Sequence, residues 1–248
     1  MKMTKSLQGK RAFVSGGSRG IGAAIVRRLA GEGADVVFTY AASPDAAAAL
    51  VAEVEGRGGR VSALRADSAD VGALQDAIRA GVVRMGGLDI LVNNAGILLH
   101  GTVDEFALED FERMFAVNVR AVFVAAKAAS AHLGVGGRIV TIGSVTADRT
   151  GFPGASVYSM TKGAVASLTR GLARDLGPRG ITVNTVEPGP TDTDMNASPG
   201  LFDRLAPMMA LGRVGRDVEI ANLVAWLAGP ESSYVTGAAL TVDGGYLA

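Results

Sequence analysis

The sequence predicts one α/β domain spanning 1–248, a doubly wound parallel sheet of about seven strands with helices on both faces. Short runs rich in Val and Ile alternate with longer segments of helical period, the order that a parallel sheet with crossover helices requires. The 34 glycines concentrate at junctions between the two kinds of segment, where tight turns or close backbone approach are wanted. A chain of 248 residues, 48% hydrophobic, can fill one large core, and no Pro/Ser/Gly-rich linker longer than a turn divides it.

Residues 11–15 read as the first strand, and a helix over 21–30 follows almost at once. Strand 35–40 leads through Pro44 into a helix over 45–55, which absorbs the alanine run 46–49. Strand 60–65 precedes a helix over 71–83. Strand 88–92 closes on Asn93-Asn94-Ala95-Gly96, and one long helix is expected over 108–133. Strand 138–143, a helix over 156–176 and strand 181–187 follow, and the run 238–242 supplies a seventh strand. Residues 189–212 differ from the rest. They hold Pro190, Pro199 and Pro207 with Met195, Leu201, Phe202, Met208 and Met209, and the stretch is long for a connection. It reads as a lid over a site, or alternatively as a packed excursion or an oligomer contact.

Composition excludes several classes of function. Lys+Arg and Asp+Glu are both 24, and no basic cluster stands in for the stripe that nucleic acid binding needs. The absence of cysteine removes disulfides, thiolate nucleophiles and Cys-ligated zinc. The two histidines, His100 and His132, match no metal spacing, so no metal site is expected. The first ten residues carry three lysines with no long apolar run behind them, and no stretch of about 18 apolar residues lacks charge or glycine. A cytoplasmic protein with no membrane partner is the expectation.

Gly16-Gly17-Ser18-Arg19-Gly20-Ile21-Gly22 lies between the first strand and the first helix. Glycine there allows a tight turn and close approach to a pyrophosphate, whose charge then faces the helix N-terminus. A dinucleotide is therefore expected at this end, although the spacing Gly16-x-x-x-Gly20-x-Gly22 is not the common Gly-x-Gly-x-x-Gly. The second strand ends Thr39-Tyr40-Ala41-Ala42-Ser43, with no acid to bind ribose hydroxyls and repel a 2′-phosphate. With Arg19 available as a guanidinium, NADP(H) is favoured over NAD(H).

Tyr158 and Lys162 are four residues apart in a helical segment and so share a face. A phenol titrates near pH 10, too high for efficient proton transfer at neutrality, and a nearby ammonium is expected to lower it. Any amphipathic helix can carry such a pair, so neighbours must decide its meaning. Ser144 follows the strand 138–143, at the carboxyl end where ligand crevices form, and could hold a substrate oxygen beside Tyr158. Asn118 lies amid apolar residues, where an amide needs either a structural network or a site to claim it. The amides of Asn93 and Asn94 close the fourth strand, as a site or as a plain turn.

Taken in order, Gly16-x-x-x-Gly20-x-Gly22, Asn93-Asn94-Ala95-Gly96, Asn118, Ser144, Tyr158-x-x-x-Lys162 and Pro188-Gly189 resemble the short-chain dehydrogenase/reductase family, with its Rossmann-like fold. The match runs from near Leu7 to the ending Val242-Asp243-Gly244-Gly245. The resemblance implies Tyr158 as general acid/base, Lys162 lowering its pKa and bonding the nicotinamide ribose, Ser144 orienting the substrate oxygen, and Asn118 supporting a water-mediated relay to Lys162. It implies Asp67 and Ser68 near the adenine, with Gly16, Ser18, Arg19, Gly20, Ile21, Gly22, Tyr40, Ala41 and Ser43 around the adenosine and phosphates. Asn94, Ala95 and Gly96 would flank the cofactor, and Pro188, Gly189, Thr191 and Thr193 would hold its nicotinamide end. A homotetramer built on the helices 108–133 and 156–176 is implied as well.

Ile97, Leu98, Leu99, His100, Val145, Phe152 and the 189–212 segment are the expected pocket. They suit an apolar or acyl-type carbonyl or alcohol, and the chain looks like the 3-oxoacyl-[acyl-carrier-protein] reductase branch. The competing reading is a non-catalytic nucleotide-binding regulator on the same fold. Ser18-Arg19-Gly20-Ile21-Gly22, Gly171-Leu172-Ala173-Arg174-Asp175 and Gly177-Pro178-Arg179-Gly180 also resemble a bacterial relative linked to cyclic-dinucleotide binding and biofilm dispersal. An intact Ser144, Tyr158 and Lys162 set favours the enzyme.

Overall fold

In the computed structural model, which describes residues 5–196 and 200–248, strands and crossover helices alternate as expected. The main strands are β1 (Arg11–Val14), β2 (Asp35–Tyr40), β3 (Arg60–Arg65), β4 (Leu88–Asn93), β5 (Leu133–Ile142), β6 (Thr182–Pro188) and β9 (Ala239–Val242). They form one parallel sheet in the order β3-β2-β1-β4-β5-β6-β9. The order reverses between β1 and β4, which opens a crevice at their carboxyl ends. Two short strands, β7 (Thr191–Asp192) and β8 (Gly215–Arg216), pair separately.

Strand alternation supplies two cores. Ala12, Val14, Val36, Phe38, Ile90 and Val92 face the layer of α1 (Gly20–Gly31), α2 (Pro44–Gly56) and α8 (Asp217–Ala228). Phe13, Val37, Leu91 and Ile139 face α3 (Val71–Met85), α5 (Ala121–Ser130) and α6 (Ser156–Leu176). Both faces are covered, so β1, β2 and β4 are mostly apolar on both sides, while β6 buries Asn184, Thr185 and Glu187 among its valines. Local signals set the helix ends. Pro44 starts α2, and the Asp70 carboxylate accepts from Ala73 N at 3.0 Å to cap α3, which stops at Gly86 with φ +72°.

The structure corrects several expectations. The helix over 108–133 is interrupted: α4 (Leu108–Phe115) passes through a π-helical turn, Ala116–Arg120, into α5, which ends at Ser130. Leu133 belongs instead to β5, pairing with Leu88, so that strand begins five residues before the Val/Ile run 138–143. A glycine-rich lead-in, Leu133-Gly134-Val135-Gly136-Gly137, with irregular register against β4, hid it from any periodicity. Helix α8 was not expected at all. It buries Ile220, Val224 and Leu227 against α1 and the sheet, an apolar stripe at helical spacing. Within 189–212, a short α7 (Leu201–Leu205) forms, and Met209 is buried with Val145 and Tyr246. Pro199 and Met1–Thr4 lie outside the described residues. Among the described residues no helix is long and apolar enough to cross a membrane.

Candidate active site

The glycine turn after β1 is shaped by contacts that leave no room for side chains. Gly16 has φ +66°, and a Cβ there would stand 2.9 Å from Ala95 Cα. A Cβ on Gly22 would collide with the Gly16 carbonyl oxygen and with the Asn94 amide. That amide donates to Ser15 O at 3.1 Å and Gly16 O at 2.8 Å, while the Ser15 hydroxyl accepts from Asn94 N and Ala95 N. The Asn-Asn-Ala-Gly segment is therefore a clamp that holds the turn against the end of β4, and not a plain turn. Ser15 was not singled out in the sequence. Helix α1 opens from an extended Arg19 with no side-chain cap, so its first N–H groups can serve an anion.

A cleft of about 600 Å³ runs over the carboxyl ends of the strands, a size that suits a dinucleotide. Gly16, Ser18, Arg19, Gly20, Ile21 and Gly22 line one end, with Tyr40, Ala41 and Ser43 from the end of β2 and Asp67 and Ser68 from the end of β3. Asn94, Ala95 and Gly96 line the middle. Ser144, Tyr158 and Lys162 join Pro188, Gly189, Thr191 and Thr193 in the wall. Asn118 stands behind that wall. Ile97, Leu98, Leu99 and Met195 supply apolar lining, and Arg113 on α4 adds a cation that the sequence reading missed. His100, Val145 and Phe152 do not line the cleft. His100 stacks at a tilt on Phe152 at 5.6 Å, and Val145 packs beside Met209 and Tyr246. His132, like His100, is exposed.

At the other end buried polar groups hold one another. Asn118, 1% exposed, accepts from Ile97 N at 2.9 Å and donates to Ile97 O at 2.9 Å. Its amide also donates to the Thr161 hydroxyl at 3.1 Å, which in turn donates to Tyr158 O at 2.7 Å. The π-helical turn aims Asn118 inward, as such bulges often do at functional positions. Thr161 was overlooked because a threonine inside a helix carries no signal by itself. Ser144 accepts from Thr146 N at 3.2 Å and from Thr146 Oγ1 at 2.9 Å, which seats a turn over Val145–Ala147.

Lys162, 5% exposed, donates from Nζ to Ile142 O at 2.9 Å, and Nζ lies 5.6 Å from the Tyr158 ring centre. Burial lowers this ammonium to about 8. The Tyr158 phenol is pushed up to about 12 by desolvation, against a smaller opposing pull from the Ser144 hydroxyl. The expected lowering of the phenol by Lys162 is thus not found. The ammonium is spent on a backbone carbonyl and stands too far off to offset desolvation. What the arrangement holds ready is a neutral phenol, a proton donor.

Residues 16–247 match the family profile described as Enoyl-(Acyl carrier protein) reductase. A short-chain dehydrogenase/reductase from Serratia marcescens BCRC 10948 superposes with a TM-score of 0.96 at 59% identity, over 98% of this chain and 100% of that one. A short chain dehydrogenase from Burkholderia cenocepacia J2315, crystallised in complex with NADP, gives 0.95 at 52% identity, over 98% and 100%. The cyclic-di-GMP-binding biofilm dispersal mediator protein of Escherichia coli (strain K12) is 48% identical over 239 residues, 96% of this chain and 97% of that protein.

Proposed function

Because the chain belongs to the short-chain dehydrogenase/reductase family and is an NAD(P)-dependent oxidoreductase, we propose that it is an NADP(H)-dependent carbonyl reductase acting on an apolar or acyl-type ketone. The observation that carries this is the meeting of two ends in one cleft. The uncapped helix and glycine turn lie at one end, and Ser144, Tyr158 and Lys162 share the other.

The residues fit a nicotinamide dinucleotide. Side chains are excluded at Gly16 and Gly22, leaving backbone N–H groups of the turn and α1 to meet the pyrophosphate. Arg19 is exposed at the cleft and no acid ends β2, which suits a 2′-phosphate beside Ser43. The Burkholderia structure in complex with NADP supports the same choice. When bound, the nicotinamide supplies the hydride. Ser144 and Tyr158 both hydrogen-bond the carbonyl oxygen, which becomes basic as the carbon is reduced, and Tyr158 gives it the phenolic proton. Lys162 would bond the nicotinamide ribose when the coenzyme is bound, and from 5.6 Å off the ring its charge favours the phenolate only weakly. Asn118 holds Ile97 in place and, through Thr161, the turn of α6 that bears Tyr158. A phenol held at about 12 keeps its proton at neutral pH, which favours reduction there and alcohol oxidation only in alkali.

Ile97, Leu98, Leu99 and Met195 make the substrate side apolar, in keeping with a 3-oxoacyl-[acyl-carrier-protein] reductase-like specificity. A homotetramer would cover the exposed Phe115, Phe123 and Met160 of α4, α5 and α6. The deciding experiment follows NADPH and NADH consumption with a panel of β-keto esters and diketones. NADPH is consumed, and Tyr158→Phe lowers kcat by about 10²–10⁴ without preventing NADPH binding. Undiminished turnover by Tyr158→Phe refutes the proton donor, and equal efficiency with NADH refutes the cofactor choice.

The likeness to the Escherichia coli mediator favours a second reading, a non-catalytic regulator that binds a cyclic dinucleotide. Calorimetric titration with cyclic di-GMP tests it. Binding without any carbonyl turnover would establish that reading over the first.

A further inference from the structure

One buried acid has no part in the reaction described above. Alternation along β6 puts Thr185 and Glu187 on the face covered by α6, where Thr185 Oγ1 meets Thr169 Oγ1 at 2.7 Å. Glu187 is 1% exposed, and its Oε2 has no hydrogen-bond partner among the described residues. A carboxylate in such a place is costly unless paired, so the group needs either a cation or a proton. The charged groups acting on it are Asp148, just past the Ser144 turn, which repels its charge, and Arg170 on α6, an exposed cation with a weaker opposing pull. Its partner on β9 is the uncharged Thr241, and Asp243 beyond that strand is engaged by Gly245 N and Leu247 N.

Its position ties it to Ser144. Gly143 donates to Val186 O at 2.7 Å, and Glu187 Cγ lies 3.2 Å from where a Cβ on Gly143 would stand. Ser144 comes next, and the turn it caps ends on Asp148, whose N–H donates to Val145 O at 3.1 Å. Glu187 therefore packs under Gly143, the residue just before the serine turn, and its carboxyl is close enough to feel Asp148, the residue that ends it.

We propose that Glu187 is a positioning residue for carbonyl reduction: as a neutral acid it donates its proton to the Asp148 carboxylate and pins the turn that presents Ser144, and its ionisation releases that turn. No further reactant is needed. The O–H proton leaves to solvent, and two carboxylates then repel across the gap it bridged. Burial and the Asp148 charge raise this carboxyl to about 7, so release falls in the physiological range.

The proposal rests on the reductase reading, and two measurements separate their fates. In the first, kcat is followed from pH 6 to 8.5 with NADPH and an accepted ketone, each profile normalised to its own maximum. The wild type declines about tenfold per pH unit above a midpoint near 7 if only the pinned form turns over. Glu187→Gln lacks that limb because its amide bonds Asp148 at every pH. Asp148→Asn, at an exposed position, lacks it because an amide can donate to ionised Glu187. A limb near 7 that persists in both variants overturns the proposal.

The second measurement needs no turnover. The folded state keeps the Glu187 proton up to about 7, whereas the unfolded chain releases it near 4.5. The stabilisation is present below 4.5 and lost as pH rises towards 7, so the wild-type melting temperature falls relative to Glu187→Gln across that window. Parallel melting curves overturn the buried proton and the proposal with it. A wild type that shows the melting difference but reduces no ketone defeats the reductase reading instead, and the positioning role falls with it.

Discussion

At the glycine turn the cleft is made by what is missing: no side chain at Gly16 or Gly22, and backbone held by the Asn94 amide. At the tyrosine end it is made by what is present, a chain of buried polar groups from Ile97 through Asn118 and Thr161 to Tyr158, with Lys162 on the Ile142 carbonyl. On the proposed function, the first end would discriminate by shape, with no titrating group in the turn to make it depend on pH. The second would discriminate by where protons sit, so that pH and the loss of one partner reach it directly. Sterics and protonation would then fall to separate elements, the β1–α1 turn and α6, joined through the segment from Asn94 to Ile97.

The sharpest way to break this contrast is Gly22→Ala. The added methyl meets the Gly16 carbonyl, and the strain of about 1–3 kcal/mol should weaken NADPH binding by roughly ten- to a hundredfold at every pH. Fluorescence titration reads this out, and a pH-dependent loss would contradict a shape-based role. Next comes the protonation end. With Glu187 replaced by Gln, the remaining decline in kcat should centre at about 8, where the buried Lys162 ammonium loses its charge as pH rises. Lys162→Arg, charged throughout, should carry no such decline in whatever activity it retains. A smaller effect is expected for Asn118→Leu. It strands the Ile97 N–H and carbonyl, costing about 1–3 kcal/mol and several degrees in melting temperature. The least is Arg19→Ala, which should lower the NADPH preference about tenfold in kcat/KM and leave NADH turnover nearly unaltered.

Both ends were legible in the sequence to different depths. The strand–glycine–helix order located the turn, because glycine needs a reason and the flanking pattern offered one. The four-residue spacing of Tyr158 and Lys162 put them on one face, yet the state of the phenol was misjudged, since desolvation depends on neighbours far off in the chain. Arg113 and Glu187 were invisible for the same reason. One is an ordinary helix arginine and the other a strand residue until folding sets its surroundings. Helix α8 was missed beside the proline-rich 189–212 stretch, and β5 began early because glycines carry no alternation. What the sequence withholds is whatever long-range packing decides.

The π-helical turn at Ala116–Arg120 carries a lesson about tolerance to length change. One extra residue shifts the angular phase of everything beyond it by about 100°, so the stripe that α5 buries is offset from the one α4 would have continued. A one-residue deletion there would yield a better helix and a worse protein. It would swing Asn118 out of register with Ile97 and rotate Ala121, Ala125 and Ala129 off the sheet. Such a deletion is expected to be far less tolerated than one of equal size in the surface turn at Gly58, although regular helix would replace irregular.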